Sequence, residues 1–303
     1  MIEFHRLCPE YRDQYNALIA ASREPGCEYS FVNINLWGRQ RVAFLNGFVL
    51  FFSQFDRSTV YPFPMGQGDL KAVLDRLIAD AQKRGIPFRL SGMNSRECAL
   101  VEELYPGAFR FHTDRDAFDY VYAIDDLSEL KGKRYQSKRN FSNRFRANHP
   151  DAQLIPMAEE TFPLAQEMLD IWFAQRKQID PDGDFALEQV ALSRCFAHFE
   201  ALQMEGLLLV ENGKCLALTM GSFLTEDTFD IHFEKALDTY DGAYAAVNRG
   251  FAHYLREKYP DVKWLNREDD LGIEGLRKAK LSYQPHHLRE KYWAYRMEDL
   301  HDL

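Results

Sequence analysis

A chain of 303 residues with a formal net charge of −9 has room for one large domain or two of ordinary size. Its acidic balance excludes non-specific coating of nucleic acid, though not a local basic groove. Hydrophobic residues make up 46%, enough to bury a substantial core, and a charged fraction of 27% is that of a soluble globular protein. The cysteines, Cys8, Cys27, Cys98, Cys195 and Cys215, are scattered and odd in number, with no C-x-x-C pair, so a reduced, cytoplasmic setting is expected. No basic region followed by an apolar run opens the chain. The longest apolar stretch, Val42 to Phe52, is interrupted by Asn46-Gly47 and is too short to span a bilayer.

In chain order, Tyr29 to Trp37 comes first as a strand-like run in which Asn33, Asn35 and Trp37 alternate. That spacing would turn polar groups into a cleft or build a hydrogen-bonded structural motif. Asn46-Gly47 joins Arg41–Leu45 to Phe48–Phe55, a hairpin with a tight turn, and a third strand follows at Thr59–Phe63. Met65-Gly66-Gln67-Gly68 precedes an amphipathic helix over Asp69–Lys83, with Leu70, Val73, Leu74, Leu77, Ile78 and Ala81 on one face. A strand at Pro87–Leu90, a helix at Arg96–Leu104 and an aromatic strand at Ala117–Ile124 complete the first half.

Lys131 to Arg146 carries Lys131, Lys133, Arg134, Lys138, Arg139, Arg144 and Arg146 without an intervening acid. Phe141 and Phe145, four apart, would anchor one face of a helix while the charges stay outside. The segment either solvates a linker or forms a phosphate-binding edge, with Lys138, Arg139 and Arg144 as candidate contacts to a tRNA end, a nucleotide or a lipid headgroup.

The second half opens with helices at Phe162–Arg176 and Phe185–Gln203, split by Asp180-Pro181-Asp182-Gly183. Asn212-Gly213 then joins Leu207–Val210 to Cys215–Phe223 as another hairpin, and Thr228–Phe233 is its third strand. A helix over Ala243–Lys258, a strand at Val262–Leu265, a helix at Ile273–Leu281 and an aromatic strand at Glu290–Tyr295 follow. The halves share this order of elements, and from Gly68 and Gly242 to Phe118 and Tyr292 their register holds without a gap. An internal duplication is expected: residues 1–128 and 151–303 as two domains, joined by a basic linker helix over 129–150.

That order of elements is the order of a GNAT-type acyltransferase domain, and two units in tandem resemble the Fem-type transferases. Tyr29–Trp37, Lys133–Asn140 and the run Asn266–Pro285 resemble a soluble family of unknown function grouped with the C-terminal domain of phosphatidylglycerol lysyltransferase. The resemblance implies an α+β fold of two tandem GNAT-like acyltransferase domains, each a mixed, mainly antiparallel sheet flanked by helices. It implies transfer of an acyl or aminoacyl group from acyl-CoA or aminoacyl-tRNA to a small-molecule, lipid-headgroup or peptide acceptor, with tRNA but not DNA as a partner. A non-catalytic GNAT-like protein that binds an anionic metabolite is the alternative. GNAT enzymes hold a CoA pyrophosphate on a glycine-rich loop and helix N-terminus. Thr239-Tyr240-Asp241-Gly242-Ala243-Tyr244 keeps only Gly242 of that pattern, and Met65-Gly66-Gln67-Gly68 lacks its leading Arg or Gln. Ordinary acyl-CoA binding is therefore not expected.

The densest chemistry lies in Asn266-Arg267-Glu268-Asp269-Asp270-Leu271-Gly272, after the strand Val262–Leu265, where open α/β sheets place ligands. Glu268 and Asp269 are candidate general bases for deprotonating an amine or hydroxyl, or caps of the helix beginning near Gly272. Arg267, Lys280 and Lys291 are candidates for an anionic substrate group, and Tyr283 is a candidate proton donor or core residue. His232 and Glu234, two apart on a strand, would share a face toward the substrate. His286-His287 has no accompanying ligand set, so no metal site is expected.

Overall fold

Two Asn-Gly turns start the two sheets. Asn46 and Gly47 have φ of 49° and 80°, and Asn212 and Gly213 have φ of 51° and 73°, the left-handed pair that a two-residue hairpin needs. The structure, a computed structural model, describes residues 1–22, 24–55 and 58–302. Among these the chain divides into two compact units. Unit 1 is Met1–Asp119, Asp269–Glu274 and the segment from Leu288 onward; unit 2 is Tyr120–Glu268 and Gly275–His287.

Along the first half the elements are α1 (Arg12–Ala20), α2 (Phe31–Trp37), β1 (Gln40–Leu45), β2 (Phe48–Phe55), β3 (Ser58–Pro62), β4 (Met65–Gly66), α3 (Leu70–Arg84), β5 (Arg89–Met93), α4 (Ser95–Leu104) and β6 (Phe109–Thr113). Then come β7 (Asp119–Ala123), α5 (Ile124–Glu129) and α6 (Gln136–Asn148). The second half has β8 (Gln153–Pro156), α7 (Phe162–Ile179), α8 (Ala186–Ala197), β9 (Glu205–Glu211), β10 (Lys214–Phe223), β11 (Thr228–Ala236) and α9 (Ala243–Lys258). It ends with β12 (Trp264–Asn266), α10 (Glu274–Leu281), β13 (His287–Arg289) and β14 (Tyr292–Arg296).

In unit 1 the sheet order is β1-β2-β3-β5-β14-β6. The β3–β5 pair is parallel and the other pairs are antiparallel. Helix α3 starts where Asp69 accepts the Ala72 N–H and stops at left-handed Gly85, a capped helix at both ends. Its buried stripe, Val73, Leu74, Leu77 and Ala81, packs with Phe48, Tyr61, Phe88 and Phe109. Gly66 and Gly68 have a turn-forming role. A Cβ on Gly66 would lie 2.2 Å from the Gly47 carbonyl oxygen, and one on Gly68 2.9 Å from that of Asn46.

In unit 2 the order is β7-β12-β11-β10-β9-β8, again mixed, with only β11–β12 parallel. Helix α9 lies on this sheet through Ala243 and Val247 against Leu209, Leu216 and Ala236. Both units are therefore mixed, mainly antiparallel sheets flanked by helices.

Two expectations change. The run Tyr29–Trp37 is not strand-like: Phe31–Trp37 is helical, started by the Ser30 side chain accepting the Asn33 N–H and ended by left-handed Gly38. The alternating asparagines instead satisfy backbone carbonyls, Asn33 Nδ2 that of Cys27 at 3.0 Å and Asn35 Nδ2 that of Phe31 at 2.9 Å. The aromatic strands also close different sheets from those their sequence positions suggest. β14, from the chain's end, lies between β5 and β6 in unit 1, while Tyr120–Ala123 of β7 pairs with β12 in unit 2. Both strands are short, aromatic and matched in register, so nothing local tells them apart. The strand β6 and the edge strand β8 were not anticipated.

Helix α4 carries a pH-sensitive cap. Asn94 and Glu97 form a reciprocal capping box, and Glu97 is 8% exposed. Burial pushes the Glu97 carboxyl up to about 7, outweighing its hydrogen bond from the Asn94 N–H and the pull of Arg289. A carboxyl raised in the folded state adds stability that is fully present below its unfolded value near 4.5 and is lost as pH rises through about 7. Glu97→Gln keeps the acceptor and removes the ionisation. Urea unfolding should show the variant gaining on the parent by about 1–3 kcal/mol between pH 5 and pH 8; parallel pH profiles would refute this cause.

Candidate functional site

In unit 2, β11 and β12 run parallel for three residue pairs, Thr228↔Trp264 to Asp230↔Asn266, and no further. Beyond that point β11 continues to Ala236 while the chain after Asn266 parts from β11 and stays bonded to Tyr120 of β7 through the Arg267 N–H and the Glu268 carbonyl. The β10–β11 register shifts here: Met220 pairs with Phe233 but Gly221 pairs with Ile231, leaving His232 as the bulged residue. Bulges re-aim side chains next to sites of this kind. Where the strands part, two pairs form, Arg267 with Glu234 and Glu268 with His232.

Arg267 and Glu234 form a short pair, Nη2 to Oε1 at 2.6 Å, with side chains 12% and 9% exposed. Asn248 on α9 donates to the other Glu234 oxygen at 2.9 Å. The Arg267 guanidinium lies between the rings of Tyr283 and Tyr122, 4.8 and 5.5 Å from their centroids. Burial works against its charge, but Glu234 and the two tyrosines hold its pKa above the ordinary arginine value. Its Nη1 is buried and makes no hydrogen bond. Lys138 on α6 places its ammonium 4.2 Å from the Tyr283 ring centroid. Burial and the Arg267 charge lower the Lys138 pKa.

Glu268 has φ of 56°, a left-handed conformation that costs a non-glycine residue of order 1–3 kcal/mol and clusters at functional sites. The Glu268 N–H donates to Asn266 Oδ1 at 2.7 Å, which helps hold the turn. Its carboxylate lies 3.2 Å from His232 Nδ1, and Ser222 Oγ lies 2.8 Å from His232 Nε2. If Ser222 donates to Nε2, the imidazole proton sits on Nδ1 and points at Glu268. The side chain of His232 is 1% exposed and that of Glu268 21%. Glu268 is thus the member of this chain that meets solvent.

Several expected residues go elsewhere. Lys280 does not present its ammonium to a ligand; Nζ donates to the Arg267 carbonyl at 2.5 Å and so braces the turn. Tyr283 is buried beside Arg267; burial and Glu234 raise its pKa well above the usual phenol value, against the pull of Arg267, so it serves as wall rather than as acid. Asp270 does the turn's work, its Oδ1 accepting the Gly272 N–H at 3.0 Å. Arg139 binds the carbonyls of Leu130 and Gly132, and Arg144 pairs with Asp241.

Lys291 belongs to unit 1. Its buried ammonium lies 2.6 Å from Asp119 Oδ1 and 2.8 Å from Glu28 Oε2, and 3.5 Å from Cys27 Sγ. Burial opposes its charge, yet Asp119, Cys27, Glu28 and Asp269 keep its pKa well above the ordinary lysine value. Asp269 therefore acts on Lys291, within unit 1, while its neighbour Glu268 belongs to unit 2. Two groups among the described residues bring metal-ligating atoms within 4.8 Å of one another: Cys27, Glu28 and Asp119, and Asp230, His232 and Glu268. In the first, Lys291 already supplies the positive charge. In the second, the imidazole hydrogen bond joins the carboxylate directly.

The profile of the family "Phosphatidylglycerol lysyltransferase, C-terminal" matches residues 19–295. The chain belongs to that family. A conserved protein of unknown function from Bacteroides thetaiotaomicron is 39% identical, with a TM-score of 0.92 over 98% of this chain and 100% of that one. L-PGS from Bacillus licheniformis is 16% identical, with a TM-score of 0.69 over 98% and 94%. A tandem GNAT protein from the clavulanic acid biosynthesis pathway is 10% identical, with a TM-score of 0.51 over 97% and 98%. Among curated proteins no sequence match was found. The fold is that of two GNAT-like domains in tandem, and no helix among the described residues is long and apolar enough to cross a membrane.

Sequence reasoning missed Tyr122, Ser222 and Asn248 in this family member's unit 2, and Cys27, Glu28 and Asp119 in unit 1. Asn248 left a signal: it falls on the same stripe of α9 as Phe251 and Leu255, a polar residue on a buried face, which requires a partner. The others meet their partners only across the fold. The unit 1 cluster yields a stability prediction. Lys291→Met removes the cation bonded by buried Asp119 and half-buried Glu28 and should cost about 3–5 kcal/mol at pH 7 by urea unfolding. Adding Asp119→Asn should recover part of that loss. A loss under about 1 kcal/mol in the single variant would show that the cluster is not held by this charge.

Proposed function

We propose that this protein transfers an aminoacyl or acyl group to an amine or hydroxyl, using the unit 2 site around Glu234, Arg267 and Glu268. One observation carries the reading. A buried arginine spends one nitrogen on Glu234 and keeps Nη1 without an acceptor, beside a carboxylate held in a strained turn. A buried guanidinium N–H without a partner is costly, and the anionic group of a substrate satisfies it. Lys138 adds a second positive charge against the Tyr283 ring.

Glu268 is the general base in this reading. It accepts the proton of the attacking amine or hydroxyl as the new bond to the acyl carbon forms, and the donor's leaving group departs with its electron pair. His232 is a positioning residue: its Nδ1–H orients the carboxylate, and Ser222 fixes its tautomer. The acceptor is a small molecule, a lipid headgroup or a peptide.

The donor reading favours a charged tRNA over acyl-CoA. Gly242 has φ of 87°, and a Cβ there would stand 2.5 Å from the Phe141 carbonyl oxygen. Helix α6 therefore packs on the α9 N-terminus where a CoA pyrophosphate would need backbone N–H groups, and the Arg144–Asp241 pair lies alongside. Lys133 lines an open cavity of about 520 Å3 at the start of α6 and is suited to a phosphate, beside Arg134 and Arg144, which pair with Asp126 and Asp241. The name of the family, a lysyltransferase, supports the same donor class.

The test is turnover. The purified protein is incubated with charged tRNA and acyl-CoA pools, and transfer is followed by mass spectrometry; product is expected from charged tRNA, with weak acetyl-CoA binding by calorimetry. Glu268→Gln should remain folded and lose about 10²–10⁴ in rate. Arg267→Lys should weaken binding of the anionic substrate, because lysine cannot reproduce a planar, two-nitrogen contact. Full activity in Glu268→Gln removes the base assignment. Absence of product from either pool, together with tight saturable binding of a metabolite, replaces the transferase reading with a binding protein.

A further inference from the structure

A second cavity in unit 2 shares no residue with the Glu234–Arg267 site. It has a volume of about 630 Å3 and is formed by α6, α9, β8 and β9, within the range of small-molecule sites. Its polar side carries two arginines, Arg146 and Arg249, and the imidazole of His253. Arg249 is held by its Nε, which donates to the Ser128 carbonyl at 3.0 Å. Among the described residues no hydrogen bond or ion pair engages Arg146 or His253.

These groups crowd one another. Burial, then the charges of Arg146 and Arg139, lowers the Arg249 pKa. Burial, then Arg256 and Arg249, lowers that of His253, with Glu257 and Glu129 opposing weakly. Glu257 is the only carboxylate on the cavity wall, so the wall carries an excess of positive charge. Like charges brought together at a half-buried surface are costly unless an anion joins them.

The opposite side is apolar. Phe145, Leu154, Leu207, Leu209 and Ala246 line it. Leu207 and Leu209 alternate on β9 and pair across to Pro156 and Leu154 of the edge strand, so one sheet face runs along the cavity. Leu154 is 41% exposed and lies against Gly250 of α9, where a Cβ would come within 2.2 Å of its Cδ1. Gly250 thus lets the edge strand and helix approach while leaving the leucine face open beside the arginines.

We infer that this cavity binds a small amphipathic anion, an oxyanion headgroup on Arg146, Arg249 and His253 with its apolar arm along Leu154, Leu207 and Leu209. The cations alone would suit inorganic phosphate and the apolar wall alone an alcohol. Their juxtaposition in one cavity selects a molecule that is both.

Calorimetry on the intact protein with octanoate, octyl phosphate, inorganic phosphate and octanol tests this. At least one of the two amphipathic anions should bind at one site, at least about tenfold more tightly than phosphate or octanol, since one charge-assisted contact is worth roughly that factor. Tighter octanoate assigns a carboxylate head and tighter octyl phosphate a phosphate head. Arg146→Gln alters an exposed side chain with no partner and should leave the fold intact while weakening binding about tenfold or more. His253→Gln should weaken it in the same direction. Leu154→Gln should weaken octyl phosphate and leave the weaker binding of inorganic phosphate unchanged. No saturable binding of either anion, equal binding of inorganic phosphate, or binding indifferent to Arg146→Gln and His253→Gln each overturns the assignment.

Discussion

The buried pair of Arg267 and Glu234 is the constraint around which unit 2 is arranged. A guanidinium taken out of water is costly unless its charge and its N–H groups are matched. Glu234 matches the charge, Asn248 orients Glu234, and two tyrosine rings cover the guanidinium faces. The turn that presents Arg267 is braced from below by Lys280 on its carbonyl and exists because the parallel pairing of β11 and β12 stops after Asn266. Glu268 follows directly and is forced into a left-handed conformation. The same backbone event, the parting of two strands, therefore places the arginine, strains the glutamate and aims the bulged His232 at it.

Unit 1 contains a buried charge cluster of the opposite character. Lys291 is bonded to both Glu28 and Asp119, and Cys27 donates its N–H to Asp119 at 2.8 Å. Every feature of that cluster neutralises the ammonium, as structural ion pairs do. In unit 2 one guanidinium nitrogen remains without an acceptor. Glu28 Oε1 in unit 1 likewise makes no hydrogen bond. The difference is that the unmatched atom in unit 2 is a donor, suited to an anionic group, and that in unit 1 an acceptor.

The basic segment divides its work in a way its composition conceals. Arg139 is consumed by carbonyls and Arg144 by Asp241. Lys138 turns toward Arg267 and Tyr283, and Arg146 turns toward the cavity shared with Arg249 and His253. A helix places residues eight apart about 12 Å along its axis and about 80° around it. One basic helix can therefore serve two separate sites.

Much of the architecture was legible locally. The hairpin turns needed left-handed residues and had Asn-Gly; α3 and α9 needed apolar stripes and had them; and the matching order of elements announced two related units. The charge concentrated after β12 was legible too, but not the bulge that sends His232 to Glu268 while Glu234 meets Arg267. Local pattern misread Phe31–Trp37, because a serine cap and a glycine stop outweighed an alternation that looked like a strand. The sequence by itself determined most of the elements and their duplication, since these depend on periodicity, turn chemistry and capping within a few residues. Only the tertiary structure decided that β14 completes the first sheet and Tyr120–Ala123 the second, that Lys291 is neutralised by Glu28 and Asp119, and that Asn248 and Lys138 join Arg267. Those choices rest on burial and charge compensation between residues far apart in the chain, which no local pattern encodes.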